Sequence, residues 1–118
     1  MVKAVRGAIQ CSKDTEQEIA SKIYSLISTM LEENAIAEKK IISIQFSQTE
    51  DLFELNCAAG LRKYGFANVP LFCSQEPKCR NSMPRVIRVL ITCEMDENRE
   101  CRHVYMNGAE RLRPDIAG

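Results

Sequence analysis

The chain has little of what most metal, redox or nucleic-acid signatures require. It has a single histidine, His103, and none of its six cysteines stand at C-x-x-C spacing. A zinc centre draws on paired thiolates and imidazoles, so none is expected. Sixteen basic residues balance sixteen acidic ones. A neutral total gives no electrostatic argument for nucleic acid or an anionic membrane as a partner. No apolar stretch is long enough to span a bilayer. The opening Met1-Val2-Lys3-Ala4-Val5-Arg6-Gly7 lacks the sustained apolar core and cleavage site of a signal peptide. A cytosolic address is therefore expected, with Cys11, Cys57, Cys73, Cys79, Cys93 and Cys101 as free thiols. No repeat, linker or low-complexity tract is visible.

What is present is an ordinary globular composition. The 118 residues, 45% hydrophobic and 27% charged, are read as one domain, 1–118, large enough for a core without staples. Residues 2–9 read as a first strand around Arg6. Asp14 or Thr15 caps a long helix whose first turn is acidic. Ile19, Ile23, Leu26, Ile27, Met30 and Leu31 form its apolar face, and Asn34 is its stop. Ile42, Ile44 and Phe46 alternate with polar residues as a half-buried second strand. Asp51 is expected to cap a second helix running to about Tyr64 and closed by Gly65. Val69, Leu71 and Cys73 suggest a third strand, followed by a polar loop from Ser74 to Pro84. Val86-Ile87-Arg88-Val89-Leu90-Ile91 reads as a buried strand, 95–101 as a charged turn, and His103-Val104-Tyr105 as a last short strand. The order β-α-β-α-β-β predicts an α+β domain, a single mixed sheet with helices on one face. The other face then needs cover, which favours an oligomer.

Arg88 is the residue that does not fit its strand. A guanidinium keeps its charge, and a buried, unpaired one is costly. It requires an anion, either a protein carboxylate such as Glu76 or Glu94 or the carboxylate of a ligand. Arg6 poses the same question in the first strand, and two strand arginines in one small sheet favour a shared anion. Cys73 and Glu76, three residues apart at a strand end, can both address a ligand hydroxyl. They can equally be a buried cysteine and an exposed glutamate. His103 invites a Cys-His nucleophilic site with Cys73 or Cys101, although a lone histidine beside a strand is more often structural. Arg111 and Arg113 read as a solvated tail.

Taken in order, Arg6-Gly7-Ala8, Cys73-x-x-Glu76, Ile87-Arg88-Val89, Arg102-His103-Val104-Tyr105 and Leu112-Arg113-Pro114-Asp115 closely resemble the AroH-class chorismate mutases. The resemblance runs from residue 2 to about 116. It implies a homotrimer shaped like a pseudo-α/β barrel, with active sites between subunits. It also implies conversion of chorismate to prephenate by a Claisen-type rearrangement, with no metal or cofactor. By motif position Arg88, Glu76 and Arg6 would be catalytic. Tyr105, Cys73, Arg62, Leu112 and Arg113 would contact substrate or border the cleft. The chain departs from the family pattern at Asn56-Cys57, where Phe-Pro is frequent, and at Ala59, where lysine is frequent. It departs again in Pro77-Lys78-Cys79-Arg80-Asn81-Ser82. It ends at Gly118 where relatives commonly carry a longer tail, from which a shorter lid is expected. The alternative function is a non-catalytic trimeric module that binds a related small dicarboxylate.

Overall fold

The first helix shows how directly local chemistry sets the frame. In the computed structural model, which describes residues 1–116, α1 spans Glu16–Glu33. Thr15 Oγ1 accepts the Glu18 N–H at 3.1 Å, and Glu16 and Glu18 sit in the first turn. Ile19, Ile23, Leu26, Ile27 and Met30 are buried along one stripe, while Leu31 is only half-buried. Asn34 ends the helix with a buried carboxamide. Its Nδ2 donates to Met30 O at 2.8 Å and Arg102 O at 2.9 Å, and its Oδ1 accepts from Arg102 N at 2.7 Å. The stop signal thus also clamps the distant segment that leads into the last strand.

The strands are β1 (Val2–Gln10), β2 (Ile41–Gln48), β3 (Leu71–Gln75), β4 (Val86–Glu94) and β5 (Val104–Met106). They form one mixed sheet in the order β3-β2-β4-β1-β5. The β1–β4 and β2–β4 pairs are antiparallel; β2–β3 and β1–β5 are parallel. The second helix, α2 (Cys57–Arg62), packs with α1 on the same side of the sheet. Gly7 identifies that side. A Cβ there would lie 2.4 Å from Met30 Sδ, so α1 packs directly on the β1 backbone. Gly7 is opposite Val89, and Val5, Ile9, Ile87, Val89, Ile91 and Cys93 are buried with it. Arg6, Arg88 and Leu90 therefore point away, onto a face with no helix. The predicted β-α-β-α-β-β order and the one-sided helix cover are both observed.

Three expectations need correction. The second helix is short, from Cys57 to Arg62, and Asn56 caps it by accepting the Ala58 and Ala59 N–H groups at 2.9 and 3.3 Å. Asp51 instead accepts the Arg85 N–H at 3.0 Å, and Asp14 accepts those of Phe53 and Glu54. Those bonds hold residues 51–55 as a loop. Gly65 does adopt the left-handed conformation expected at the end of this region, with φ +118°. Ile42 is exposed, because an irregularity between Ile41 and Ser43 turns it outward and buries Ile41 in its place. Arg88 is not buried: its side chain is 46% exposed. Burial alternates along β4 as in any half-covered strand, and the apolar Leu90 beside Arg88 disguised that alternation.

Candidate active site

The open face of the sheet carries a row of residues set by register. Ser74 is opposite Ser47, Ser47 opposite Arg88, Arg88 opposite Ala8, and Ala8 opposite Tyr105. One step along the strands, the same face shows Phe72, Gln45, Leu90 and Arg6. All of these except Phe72 line a groove of about 270 Å³ that includes Arg6, Arg88, Ser47, Ser74 and Tyr105. A small residue helps to make the groove possible: Ala8 in β1 stands between Arg88 and Tyr105 in the row and leaves space there.

Glu76 reaches this face from just beyond β3. Its backbone N–H donates to Gln48 O at 2.9 Å. Its Oε1 accepts from Ser47 Oγ at 2.6 Å and meets Arg88 Nε at 3.2 Å. The ion-pair partner of Arg88 is thus Glu76 and not Glu94, which is bonded to the N-terminal ammonium. The closest contact with Glu76 is made by Nε. Among the described residues no second carboxylate is found in an ion pair with Arg88, and the side chain lines the groove, where its five-donor fork has capacity left for a ligand. The unusual loop that follows is tied down locally. Ser82 Oγ accepts from Cys79 N at 2.9 Å and donates to Cys79 O at 2.7 Å, and Lys78 pairs with Glu50 at 3.2 Å. The altered loop still delivers Glu76 to Arg88.

Cys73 is on the other side. Being one residue from Ser74, it faces Phe46 and Val89, toward the helices. It lines a separate cleft of about 310 Å³ with Gln48, Thr49, Leu52, Phe53, Leu55 and Asn56. Its Sγ donates to Gln48 Oε1 at 3.2 Å. Its pKa is lowered to about 7, chiefly by the neighbouring Cys57 thiol and against the opposing effect of burial, with smaller contributions from the backbone at Cys57 and Ala58. The Gln48 oxygen favours the protonated thiol and works against that reduction. Cys57 itself is pushed well above its ordinary value by the Cys73 thiol and by burial. Within one chain, then, the thiol and the Glu76 carboxylate do not converge. Arg62 goes with Cys73: it is exposed at the end of α2.

His103 is engaged with the backbone. Its Nδ1 accepts the Arg6 N–H at 3.0 Å, a bond that requires the neutral ring nitrogen. Burial, then the charges of Arg6 and Arg113, lower its pKa. Cys73 lies on β3, at the opposite sheet edge from the β5 segment that carries His103. Four strand spacings, about 19 Å, separate those edges, so the two do not form a nucleophile-base pair. Arg113 forms a two-pronged pair with Asp115, Nε to Oδ1 at 3.0 Å and Nη2 to Oδ2 at 2.8 Å. Leu112 is half-buried at the end of the last helical turn, Ala109–Leu112. Neither lines the open-face groove. Among the described residues no group of three or more His, Cys, Asp or Glu is placed to hold a metal.

Two residues at the site escaped the sequence reading. Ser47 and Gln48 close an alternating strand with two polar side chains, one for each face, and nothing in residue type or spacing marks either as more than a strand end.

Comparison with known proteins bears on the same residues. Residues 2–116 match the family model described as chorismate mutase type I. A chorismate mutase AroH of Thermus thermophilus is 39% identical over 118 residues, covering 98% of this chain and 97% of the relative. One from Bacillus subtilis (strain 168) is 33% identical over 119 residues, covering 99% of this chain and 94% of the relative. A solved chorismate mutase from Clostridium thermocellum superimposes with a TM-score of 0.89 at 35% identity, over 93% of this chain and 99% of that one.

Proposed function

The chain belongs to the type I chorismate mutase family, and we propose that it rearranges chorismate to prephenate in the cytosol, in clefts built jointly by neighbouring copies of a homotrimer. The observation that carries the reading is the open-face groove. Two arginines and a tyrosine converge there, and Arg88 is paired with Glu76 through Nε at 3.2 Å.

Chorismate is a dianion that reacts when its enolpyruvyl side chain folds over the ring. Fixed cations select that compact form and remove most of the entropy of finding it. Arg6 and Tyr105 supply donors for the carboxylates. As the C–O bond breaks ahead of C–C bond formation, negative charge grows on the ether oxygen and the enolpyruvyl fragment. The Arg88 fork meets that charge, and Glu76 stabilises the complementary positive character of the ring. The donors are already in place before reaction, which is where such catalysis gains its advantage. The rearrangement is unimolecular and moves no proton, so no step calls for a cofactor or a covalent intermediate.

The same geometry supports the joint cleft. Arg6, Arg88, Glu76 and Tyr105 occupy the open face, while Cys73 and Arg62 occupy the α2 edge. One chain cannot turn both toward one small molecule. A neighbouring copy that presents its α2 edge to the open face brings Cys73 and Arg62 to the substrate, with Leu112 and Arg113 bordering the cleft. The open face also leaves Phe72 66% exposed, apolar surface that a second copy would cover. The decisive assay follows chorismate loss and prephenate formation by the purified protein, with its mass in solution from sedimentation. Binding of chorismate without turnover would sink the activity, and an active monomer would sink the shared cleft.

A further inference from the structure

Gln48, the last residue of β2, is saturated. Its Nε2 donates to Leu52 O at 2.8 Å and Leu55 O at 2.9 Å, and its Oε1 accepts from Cys57 N at 2.9 Å and Cys73 Sγ at 3.2 Å. Two carbonyl oxygens on one side and a backbone N–H on the other leave the carboxamide a single orientation. Its backbone oxygen accepts the Glu76 N–H as well. One side chain therefore joins the 52–55 loop, the start of α2 and the Cys73 thiol, and its backbone anchors the root of Glu76.

A thiol has one hydrogen, and of the two acceptors within its reach Gln48 Oε1 at 3.2 Å is nearer than Ser74 O at 3.8 Å. We propose that Gln48 is a positioning residue that turns the Cys73 S–H away from the cleft, so that the sulfur meets the substrate as a hydrogen-bond acceptor only. The group that fits against it is a hydroxyl that donates; an ether or carbonyl oxygen at that place would find no donor from Cys73. This rests on the proposed substrate contact of Cys73. Cys57 on α2 and Glu50 in the cleft wall are the titratable groups beside it.

Two substitutions separate positioning from plain structural support. Gln48→Leu removes the acceptor at similar size, and Gln48→Glu keeps an acceptor oxygen and adds negative charge. The measurement is the pH dependence of iodoacetamide alkylation at Cys73, resolved from the other cysteines by peptide mass spectrometry, with KM and kcat for chorismate on the same samples. The expected result is opposite movement: the apparent Cys73 pKa falls in Gln48→Leu and rises in Gln48→Glu. KM in Gln48→Leu rises about fivefold, the effect of one misdirected hydrogen bond, with kcat changed less. Unmoved pKa values, or movement in the same direction in both variants, overturn the proposal, and so does an unchanged KM in an active Gln48→Leu. If Gln48→Leu does not fold, Gln48→Glu decides alone: a raised pKa supports the inference and an unmoved or lowered one ends it. Absence of chorismate turnover by the unmodified protein would remove the proposed function, while the alkylation profile would still decide whether Gln48 holds the thiol.

Discussion

The two faces of the sheet present chemistry in opposite ways. On the open face, Arg6, Arg88 and Tyr105 stand in solvent-accessible positions with few side-chain partners, and the Arg88–Glu76 pair is 46% and 21% exposed. On the α2 side, the Cys73 thiol and the Cys57 backbone N–H both bond to Gln48 Oε1. On the proposed function the first arrangement holds charge for a ligand; such a half-exposed ion pair contributes about 1 kcal/mol or less to folding. The second fixes a weakly polar group in one orientation. Changes on the open face should therefore reduce rate and leave stability nearly untouched, whereas changes on the α2 side should act through orientation.

The largest expected effect is at Arg88. Arg88→Lys keeps the charge and loses the fork, and kcat should fall about 10²- to 10³-fold with a melting temperature within a few degrees of native. Steady-state kinetics beside thermal unfolding tests this; matched losses of both would mean that the Arg88–Glu76 pair serves the fold. A second experiment tests whether the two faces serve one cleft from different copies. Arg88→Ala and Arg62→Ala, each inactive or nearly so, are unfolded together and refolded as mixed trimers. If each cleft takes Arg88 from one copy and Arg62 from the next, random mixing restores about a quarter of native activity. A site within one chain would recover none.

Smaller effects should follow at the thiol and the imidazole. Cys73→Ser keeps a donor-acceptor group of similar shape, so activity should stay within about tenfold of native, as one hydrogen bond is altered. Abolished activity would instead indicate a nucleophilic thiol. His103 makes the mildest prediction. Its folded pKa lies below the ordinary 6.5, so the unfolded chain binds the extra proton more readily. The contribution of the neutral ring is complete above 6.5 and is lost as pH falls from there toward the folded pKa. The melting temperature should decline over that window and decline less in His103→Asn; the same slope in both proteins would exclude His103 as its source.

Much of this architecture was legible in residue order. The isoleucine and leucine stripe of α1, its cap at Asp14 or Thr15, the Asn34 stop and the order of elements along the chain needed only periodicity and capping chemistry. The open-face site was legible in part: Arg6 and Arg88 stood out because a permanent charge in an apolar strand needs an anion. The α2 region was misread for a physical reason. Asp51 and Asp14 are helix-capping types, but each found backbone N–H groups elsewhere, at Arg85 and at Phe53 and Glu54. A capping residue is only a potential acceptor until the tertiary structure supplies its donor. The Ile42 position failed similarly, because an irregularity in β2 shifts the pleat without leaving any mark in the alternation.

The amino-acid sequence alone determined the elements, their order and the family. These depend on local periodicity and on an ordered set of residues that survives without knowledge of direction. Only the tertiary structure decided which way each side chain points. Arg88 and Ser74 share one row of the sheet, while Cys73, a single residue away, faces Phe46 and the helices. In a pleated strand one residue is the difference between two faces. That step separates the arginines from the thiol, gives Gln48 its hold on the thiol, and is the basis on which a cleft shared with a second copy of the chain is proposed.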